Sequence, residues 1–383
     1  MNPTMWRLAL VLNFVLVPAL VSPGCVRTGE ERAELDERVG KADAEGVYFE
    51  VAEGLAAVHQ AARGRLVLWA GAPNFELETQ SQPDATTDWE ITVQNVMPDA
   101  ELVPADEDDV NFKVTGRKQS DPTTVVFGVE LPAGETAHMR IAPPDADEAE
   151  PYRVAVLSDI QNAVLEVGDI WARINEDPSI RYVISTGDIT QSGRMKELVF
   201  FQESLDDLDV PYYTTLGNHE LGEASPEGFH ELYGRGNFQF QFKGAYFTYL
   251  DSASATIDPI AYDWLEDWLA RGEDATHIFL THIPPIDPVG TRNGSFRSRN
   301  EAMKLLNMLT KADVDLGLYG HIHTYMADSQ ADIPIYISGG GGALPEKFDG
   351  IGKHFLTVDI DPDDGIKEVG LVRVDEPSKD LGE

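Results

Sequence analysis

Cysteine is almost absent: the 383 residues contain one, Cys25. No intramolecular disulfide and no cysteine-based zinc site can form. Basic residues are scarce as well. Lys and Arg number 29 against 66 Asp and Glu, a net charge of −37. A surface of that sign repels nucleic acid and anionic bilayers over most of its area, which argues against a nucleic-acid partner. Long apolar runs are confined to the first 25 residues, which excludes a multi-span membrane protein. What is present is an ordinary globular balance, 42% hydrophobic and 25% charged, in a chain long enough for two or three domains.

The single cysteine closes a leader. Arg7 precedes Leu8 to Val21, an apolar run broken by Pro18 and too short to span a bilayer comfortably. Val21-Ser22-Pro23-Gly24-Cys25 follows. It resembles a bacterial lipobox, with Ser22 where Leu or Val is usual. Residues 1–25 are therefore expected to be a lipoprotein-type signal peptide with Cys25 as the lipidated residue. The protein is expected to be exported and anchored to a bacterial membrane, periplasmic or at the cell surface, with plain secretion as the alternative. The anchor is its only expected contact with membrane.

Residues 26–45 are polar and charged and read as a solvated tether, although Thr28 and Glu31 have the spacing of a capping box. Residues 46–144 carry short runs that alternate apolar with polar, such as Trp89-Glu-Ile-Thr-Val and Val125-Val-Phe-Gly-Val129. These predict a small β-sandwich of immunoglobulin or fibronectin type, with one helix over Ala52 to Ala62. His59 and His138 are isolated and read as structural. Pro143 to Pro151 is a Pro- and acid-rich linker.

From 152 onward, strand-like runs end in polar residues. Arg153 to Leu157 runs into Asp159, Tyr182 to Ser185 into Gly187-Asp188, and Pro211 to Thr215 into Gly217-Asn218-His219-Glu220. Asp159 to Asp188 is 29 residues and Asp188 to Asn218 is 30, the length of a βαβ unit. Later strand ends reach Asp251, Thr281-His282 and Gly320-His321-Ile322-His323, and the last leads to the run Gly339 to Gly342. Polar groups just past successive strands meet at the carboxyl edge of an α/β sheet. Four of the nine histidines lie there. With Asp159, Asp188 and Asn218 they form an oxygen and imidazole set without sulfur, suited to borderline divalent metals and too large for one tetrahedral ion. No Lys-Ser/Thr follows the glycine run, so it reads as a tight loop and not as a P-loop.

Asp159-Ile160-Gln161, Gly187-Asp188, Gly217-Asn218-His219-Glu220, Thr281-His282 and Gly320-His321-Ile322-His323 resemble, in order, the five blocks of calcineurin-like metallophosphoesterases. The resemblance implies a four-layer α/β/β/α domain over 152–376, following the β-sandwich. It implies two divalent metal ions (Mn, Fe or Zn) and hydrolysis of a phosphate mono- or diester by a hydroxide held between them. Asp188 would bridge both ions. Asp159, His323 and Gln161 would complete the first site, and Asn218, His282 and His321 the second. His219, not a ligand, would act as an acid on the leaving oxygen or stabilise the phosphoryl transition state, with Glu220 orienting it. Gln161 stands where the family usually has histidine. The sandwich and these blocks also look like purple acid phosphatases, but Gln191 stands where those enzymes carry an iron-ligating tyrosine. Tyr325 reads as pocket-lining or as packing, and Arg292, Arg297 and Arg299 as a phosphate clamp or as solvated charge. A degenerate phospho-ligand-binding surface lipoprotein is the alternative function.

Overall fold

Ten strands follow from Lys41 onward, several with alternating burial. They are β1 (Lys41–Ala44), β2 (Val47–Val51), β3 (Ala56–Ala62), β4 (Arg65–Ala70), β5 (Phe75–Ser81), β6 (Asp88–Gln94), β7 (Glu101–Pro104), β8 (Lys113–Asp121), β9 (Thr124–Glu130) and β10 (Thr136–Ala142). They form two five-stranded sheets, β1-β2-β5-β10-β7 and β3-β4-β6-β9-β8. Their inner faces share one core that includes Phe49, Leu68, Leu77, Trp89, Ile91, Phe127 and Met139. The structure, a computed structural model, describes residues 29–106, 110–222, 226–290 and 294–374. The leader, Cys25 and Arg292 lie outside the described residues.

Two expectations for this half are corrected. Ala52 to Ala62 is not a helix. Gly54, at φ 64°, ends a single 3-10 turn, and β3 then pairs antiparallel with β4 from Ala56↔Ala70 to Ala62↔Arg65. Tertiary pairing overrides the helix preference of alanine. Nor is 26–45 a free tether, since α1 (Gly29–Asp36) and β1 fall within it. Arg32 and Asp36 are 1% and 0% exposed. Arg32 pairs with Asp251 and donates to Ser254 Oγ at 3.1 Å. Asp36 accepts from the backbone nitrogens of Gly236 and Asn237 at 2.7 and 3.1 Å and from Asn237 Nδ2 at 2.8 Å. Charges that look solvated in sequence find partners some 200 residues later.

The second half has two sheets. One contains β11 (Tyr152–Leu157), β12 (Ile180–Ser185), β13 (Tyr212–Thr214), β20 (His354–Asp361) and β21 (Gly365–Arg373), in the order β13-β12-β11-β20-β21. The other contains β14 (Phe238–Phe242), β15 (Ala245–Leu250), β16 (His277–Thr281), β17 (Leu316–Tyr319), β18 (Tyr325–Gln330) and β19 (Ile333–Ser338), in the order β14-β15-β16-β17-β19-β18. The sheets face each other through Val154, Tyr182, Ile184, Phe240, Phe247, Ile278 and Leu318. α2 (Gly168–Asn175) and α3 (Met195–Ser204) cover the first sheet through Ile170, Trp171, Leu198 and Phe201. The short α4 (Glu227–Leu232) adds Phe229 to the same cluster. α5 (Pro259–Arg271) and α6 (Arg299–Lys311) cover the second sheet through Leu265, Trp268, Leu305 and Leu309. This is the expected α/β/β/α layering. Strands β11–β13 are mutually parallel, as are β15, β16, β17 and β19, so the two sheets present their carboxyl ends to one common edge.

Linker and sandwich dock on this domain. Asp145 pairs with Arg181 at 2.7 Å and with Lys243 at 3.1 Å. The buried Asn95 side chain bonds to both backbone groups of Tyr212, at 2.7 and 2.8 Å. Among the described residues no helix is long and apolar enough to cross a membrane.

Candidate metal centre

Five strand ends deliver the site. Asp159 follows β11, Asp188 follows β12, Asn218 and His219 follow β13, His282 follows β16, and His321 and His323 follow β17. The chain turns sharply at these points. Asp159, Gln161, Asp188 and His321 all have left-handed φ, between 52° and 68°. Four such residues cost roughly 1–3 kcal/mol each and persist only where surrounding structure holds them. The turns also need glycine. A Cβ on Gly217 would stand 2.1 Å from Asp188 Oδ1, and one on Gly320 would stand 2.2 Å from Ser158 Oγ and 2.7 Å from Asp159 Oδ2. The run 339–342 is, as expected, a tight loop beside the site: Gly341 donates to the Ser158 carbonyl at 2.8 Å and Gly339 to that of Thr324 at 3.1 Å.

The structure brings Asp159, Asp188, His282, His321 and His323 together in two overlapping groups that share Asp188. One is Asp188, His282 and His321; the other is Asp159, Asp188 and His323. Within each group the ligand atoms lie within 4.8 Å of one another. Asn218 joins the first group, its Oδ1 lying 3.0 Å from His282 Nε2. Gln161 joins the second, its terminal amide 3.1 Å from both Asp188 Oδ2 and His323 Nε2.

Backbone carbonyls set the histidine tautomers. His282 Nδ1 is 3.0 Å from the carbonyl of Thr186, and His323 Nδ1 is 2.7 Å from that of Leu344. A carbonyl only accepts, so each Nδ1 carries the proton and each neutral ring turns an Nε2 lone pair inward. There His282 Nε2 meets Asn218 Oδ1 at 3.0 Å and Asp188 Oδ2 at 3.3 Å. His323 Nε2 meets Asp159 Oδ1 at 3.4 Å, a buried oxygen with no hydrogen-bond donor. Acceptors converging on acceptors call for positive charge between them, supplied by a metal cation or, in metal-free protein, by a proton on His282 Nε2.

The electrostatics agree. Burial works against charge on Asp188, yet His282 and His219 hold its carboxyl well below the usual carboxylate range. His282 is pushed up to about 9, the Asp188 charge outweighing the opposing effect of burial. Burial and the His282 charge press His321 down to about 4. The centre pulls in positive charge, and the residues present fit a pair of divalent cations with Asp188 between them.

His219 stands beside the pair. Its Nε2 is 3.9 Å from Asp188 Oδ2, and its Nδ1 is 2.7 Å from the Gln191 carbonyl. Glu220 does not orient it, contrary to expectation. The buried Glu220 carboxylate accepts from the backbone nitrogens of Asp188, Thr190 and Gly217 at 2.8–2.9 Å, and from the Thr190 hydroxyl at 2.9 Å. It fastens the β12 turn to the β13 turn. Tyr325 is half-buried against Tyr336 and His354 and packs on the core between the sheets. Arg297 and Arg299 line a separate cavity with Ile286 and Met303. The roles of Thr186, Gln191 and Leu344 toward these rings were invisible in the sequence, because they act through carbonyls that any residue supplies.

Gln161 makes the two sites unequal. A carboxamide is a weaker donor than imidazole toward borderline metals. Calorimetric titration of metal-free protein is expected to show two binding steps. Gln161→His is expected to tighten only the weaker step, by about tenfold, or about 1.4 kcal/mol. Two equal steps that the substitution leaves unchanged would remove the asymmetry.

Comparison with known proteins bears on this geometry. The family model of the calcineurin-like phosphoesterases matches residues 152–325. A probable glycerophosphodiester phosphodiesterase, GpdQ, from Arcobacter nitrofigilis is 25% identical over 183 residues, which are 45% of this chain and 64% of that protein. The chain thus spans less than two thirds of that relative's length. The solved purple acid phosphatase PPD1 from yellow lupin superposes with a TM-score of 0.51 at 14% identity, covering 81% of this chain and 76% of that one, a likeness of fold. The stretch that matches the calcineurin-like phosphoesterase model, residues 152–325, contains every side chain that the structure places in the centre.

Proposed function

We propose that the protein is an exported, lipid-anchored phosphoesterase that hydrolyses a phosphodiester. The observation that carries this reading is the pair of ligand groups sharing Asp188, with imidazole lone pairs turned inward by backbone carbonyls. Asp159, Asp188, His323 and Gln161 would hold one divalent ion, and Asp188, Asn218, His282 and His321 the other. When bound, such ions supply Lewis acidity toward phosphate oxygens and make water more acidic. The chain's own part is geometric and protonic. Glu220 and the glycine turns hold the strand ends in register. Asp188 Oδ1 accepts from the His219 backbone nitrogen at 2.8 Å, which ties the shared carboxylate to the proton donor. His219, its Nδ1–H fixed on the Gln191 carbonyl, presents Nε2 to the leaving oxygen, and in its imidazolium form the Nε2–H would pass its proton there, leaving the ring neutral. The named activity of the GpdQ relative favours a diester over a monoester. Export and anchoring rest on the leader and Cys25.

The test is turnover of p-nitrophenyl phosphate and its bis ester after loading metal-free protein with Mn, Fe, Zn, Ni or Co. The bis ester is expected to be hydrolysed with at least one metal, and chelation to abolish the rate. Absence of turnover with every metal would favour the phospho-ligand-binding alternative.

A further inference from the structure

Exposed apolar side chains are unevenly placed on the catalytic domain. Among its described residues nine large ones are exposed. Leu165 (81%), Leu344 (80%), Phe348 (52%) and Ile286 (42%) lie in segments that follow the carboxyl ends of β11, β16 and β19. Met195 and Ile260 open α3 and α5 at the same edge, whereas Val199, Phe200 and Met303 (57%) lie in the second turns of α3 and α6. Scattered exposed apolar residues are ordinary, whereas six of nine on the edge that carries the metal centre mark a contact surface. Leu344 lines a cavity of about 430 Å³ with His323. Ile286 and Met303 line one of about 560 Å³ with Arg297 and Arg299.

The opposite edge has the contrary character. There the ends of α5 and α6 and the β20–β21 turn gather Glu266, Glu273, Asp274, Asp313, Asp315 and Asp363 around a cavity of about 720 Å³. A strand of five residues separates the edges by roughly 17 Å, beyond a Debye length of about 8 Å. Repulsion from the acidic edge is therefore screened at the catalytic one.

The amino-terminal segment leaves from the catalytic edge too. Arg32 is paired with Asp251, the residue that follows β15. The next residue, Ser252, accepts from the backbone nitrogen of Ile283 at 2.7 Å, one residue beyond His282. Gly29 abuts Asp258, the cap of α5, with a Cβ position 3.3 Å from the Asp258 Cβ. Cys25 is four residues before Gly29, a span of at most about 14 Å. An acyl chain on Cys25 would enter lipid within that distance of this edge.

We propose that the catalytic edge lies against a lipid bilayer and that the substrate is the phosphodiester of a phospholipid in that bilayer. This rests on the phosphoesterase and anchor readings above, and it fixes which face meets the membrane.

The position of the edge can be read without turnover. The full chain is reconstituted in phosphatidylcholine–phosphatidylglycerol vesicles carrying a headgroup spin label. A thiol-reactive dye is placed on Leu165→Cys, Phe348→Cys or, on the far edge, Asp364→Cys. Parent protein labelled in parallel corrects for dye at Cys25. Quenching several-fold stronger at the first two positions than at the third is expected. Equal quenching at all three, or none at the first two, would overturn the orientation. In the same vesicles Leu165→Gln/Ile286→Gln/Phe348→Gln is expected to lose most phosphatidylglycerol turnover while keeping its rate on soluble bis(p-nitrophenyl) phosphate. Parent protein that hydrolyses the soluble diester but not phosphatidylglycerol would overturn the lipid substrate and leave the phosphoesterase reading standing. Failure on both diesters would count against that reading itself.

Discussion

Asp188→Asn is expected to lower turnover by at least about 1,000-fold, or about 4 kcal/mol of transition-state stabilisation, and to cut the content of both metals. Asp188 alone belongs to both ligand groups. The substitution preserves size, and an amide oxygen can still accept from the His219 backbone nitrogen. It removes the one charge shared between the sites. Its effect on stability separates loss of chemistry from loss of fold. In metal-free protein Asp188 is fully buried near Asp159 and Glu220, and burial together with the Asp188 charge pushes Glu220 up to about 7. Asp188→Asn relieves Glu220 but loses the buried pairing with His282 and His219 that holds the Asp188 carboxyl below the usual range, and removing one partner of a buried pair destabilises. The variant is therefore expected to melt somewhat below the parent without metal while staying folded, and to lose the stabilisation that metal gives the parent. Metal analysis, kcat/KM and paired melting curves check this. A variant that retains both metals would show that Asp188 is not the shared ligand.

The parts of this centre that were legible in the sequence are those where side-chain type and backbone position coincide. An apolar run ending in Asp, Asn or His is a strand delivering a ligand. Spacings of 29 and 30 residues place Asp159, Asp188 and Asn218 at one edge. Gly217 and Gly320 are legible for the same reason, since no other residue tolerates those approaches to Asp188 and Asp159. Carbonyl partners carry no such mark, so the tautomer control by Thr186, Gln191 and Leu344 emerges only in three dimensions. Glu220 misled because proximity in sequence to His219 suggested contact with its ring. The sharp turn after β13 instead points the carboxylate toward the β12 turn. In the fold, alternating strands such as β6 and β9 were readable. The docking of α1 was not, because helix capping and charge are local signals, whereas Arg32 and Asp36 are defined by Asp251 and Asn237.

His219→Ala is expected to lower turnover of an alkyl phosphodiester by about 100- to 10,000-fold, the usual contribution of a positioned proton donor, with metal content nearly unchanged. His219 lies outside both ligand groups, its side chain is 27% exposed, and its Nε2 stays 3.9 Å from Asp188 Oδ2. Removing the ring leaves the backbone bond to Asp188 Oδ1 in place, so the shared ligand keeps its support. The choice of leaving group turns this into a test of role. An alkoxide leaves only as it gains a proton, whereas nitrophenolate is stable enough to leave without one. The loss is therefore expected to shrink markedly on bis(p-nitrophenyl) phosphate. Electrostatic stabilisation of the phosphoryl oxygens, the competing role for this ring, would lower both rates about equally. Equal losses would thus reassign His219 from proton donor to charge stabiliser. Loss of metal would place it among the ligands, against a geometry in which Nδ1 is held by Gln191 and Nε2 stands apart from both groups.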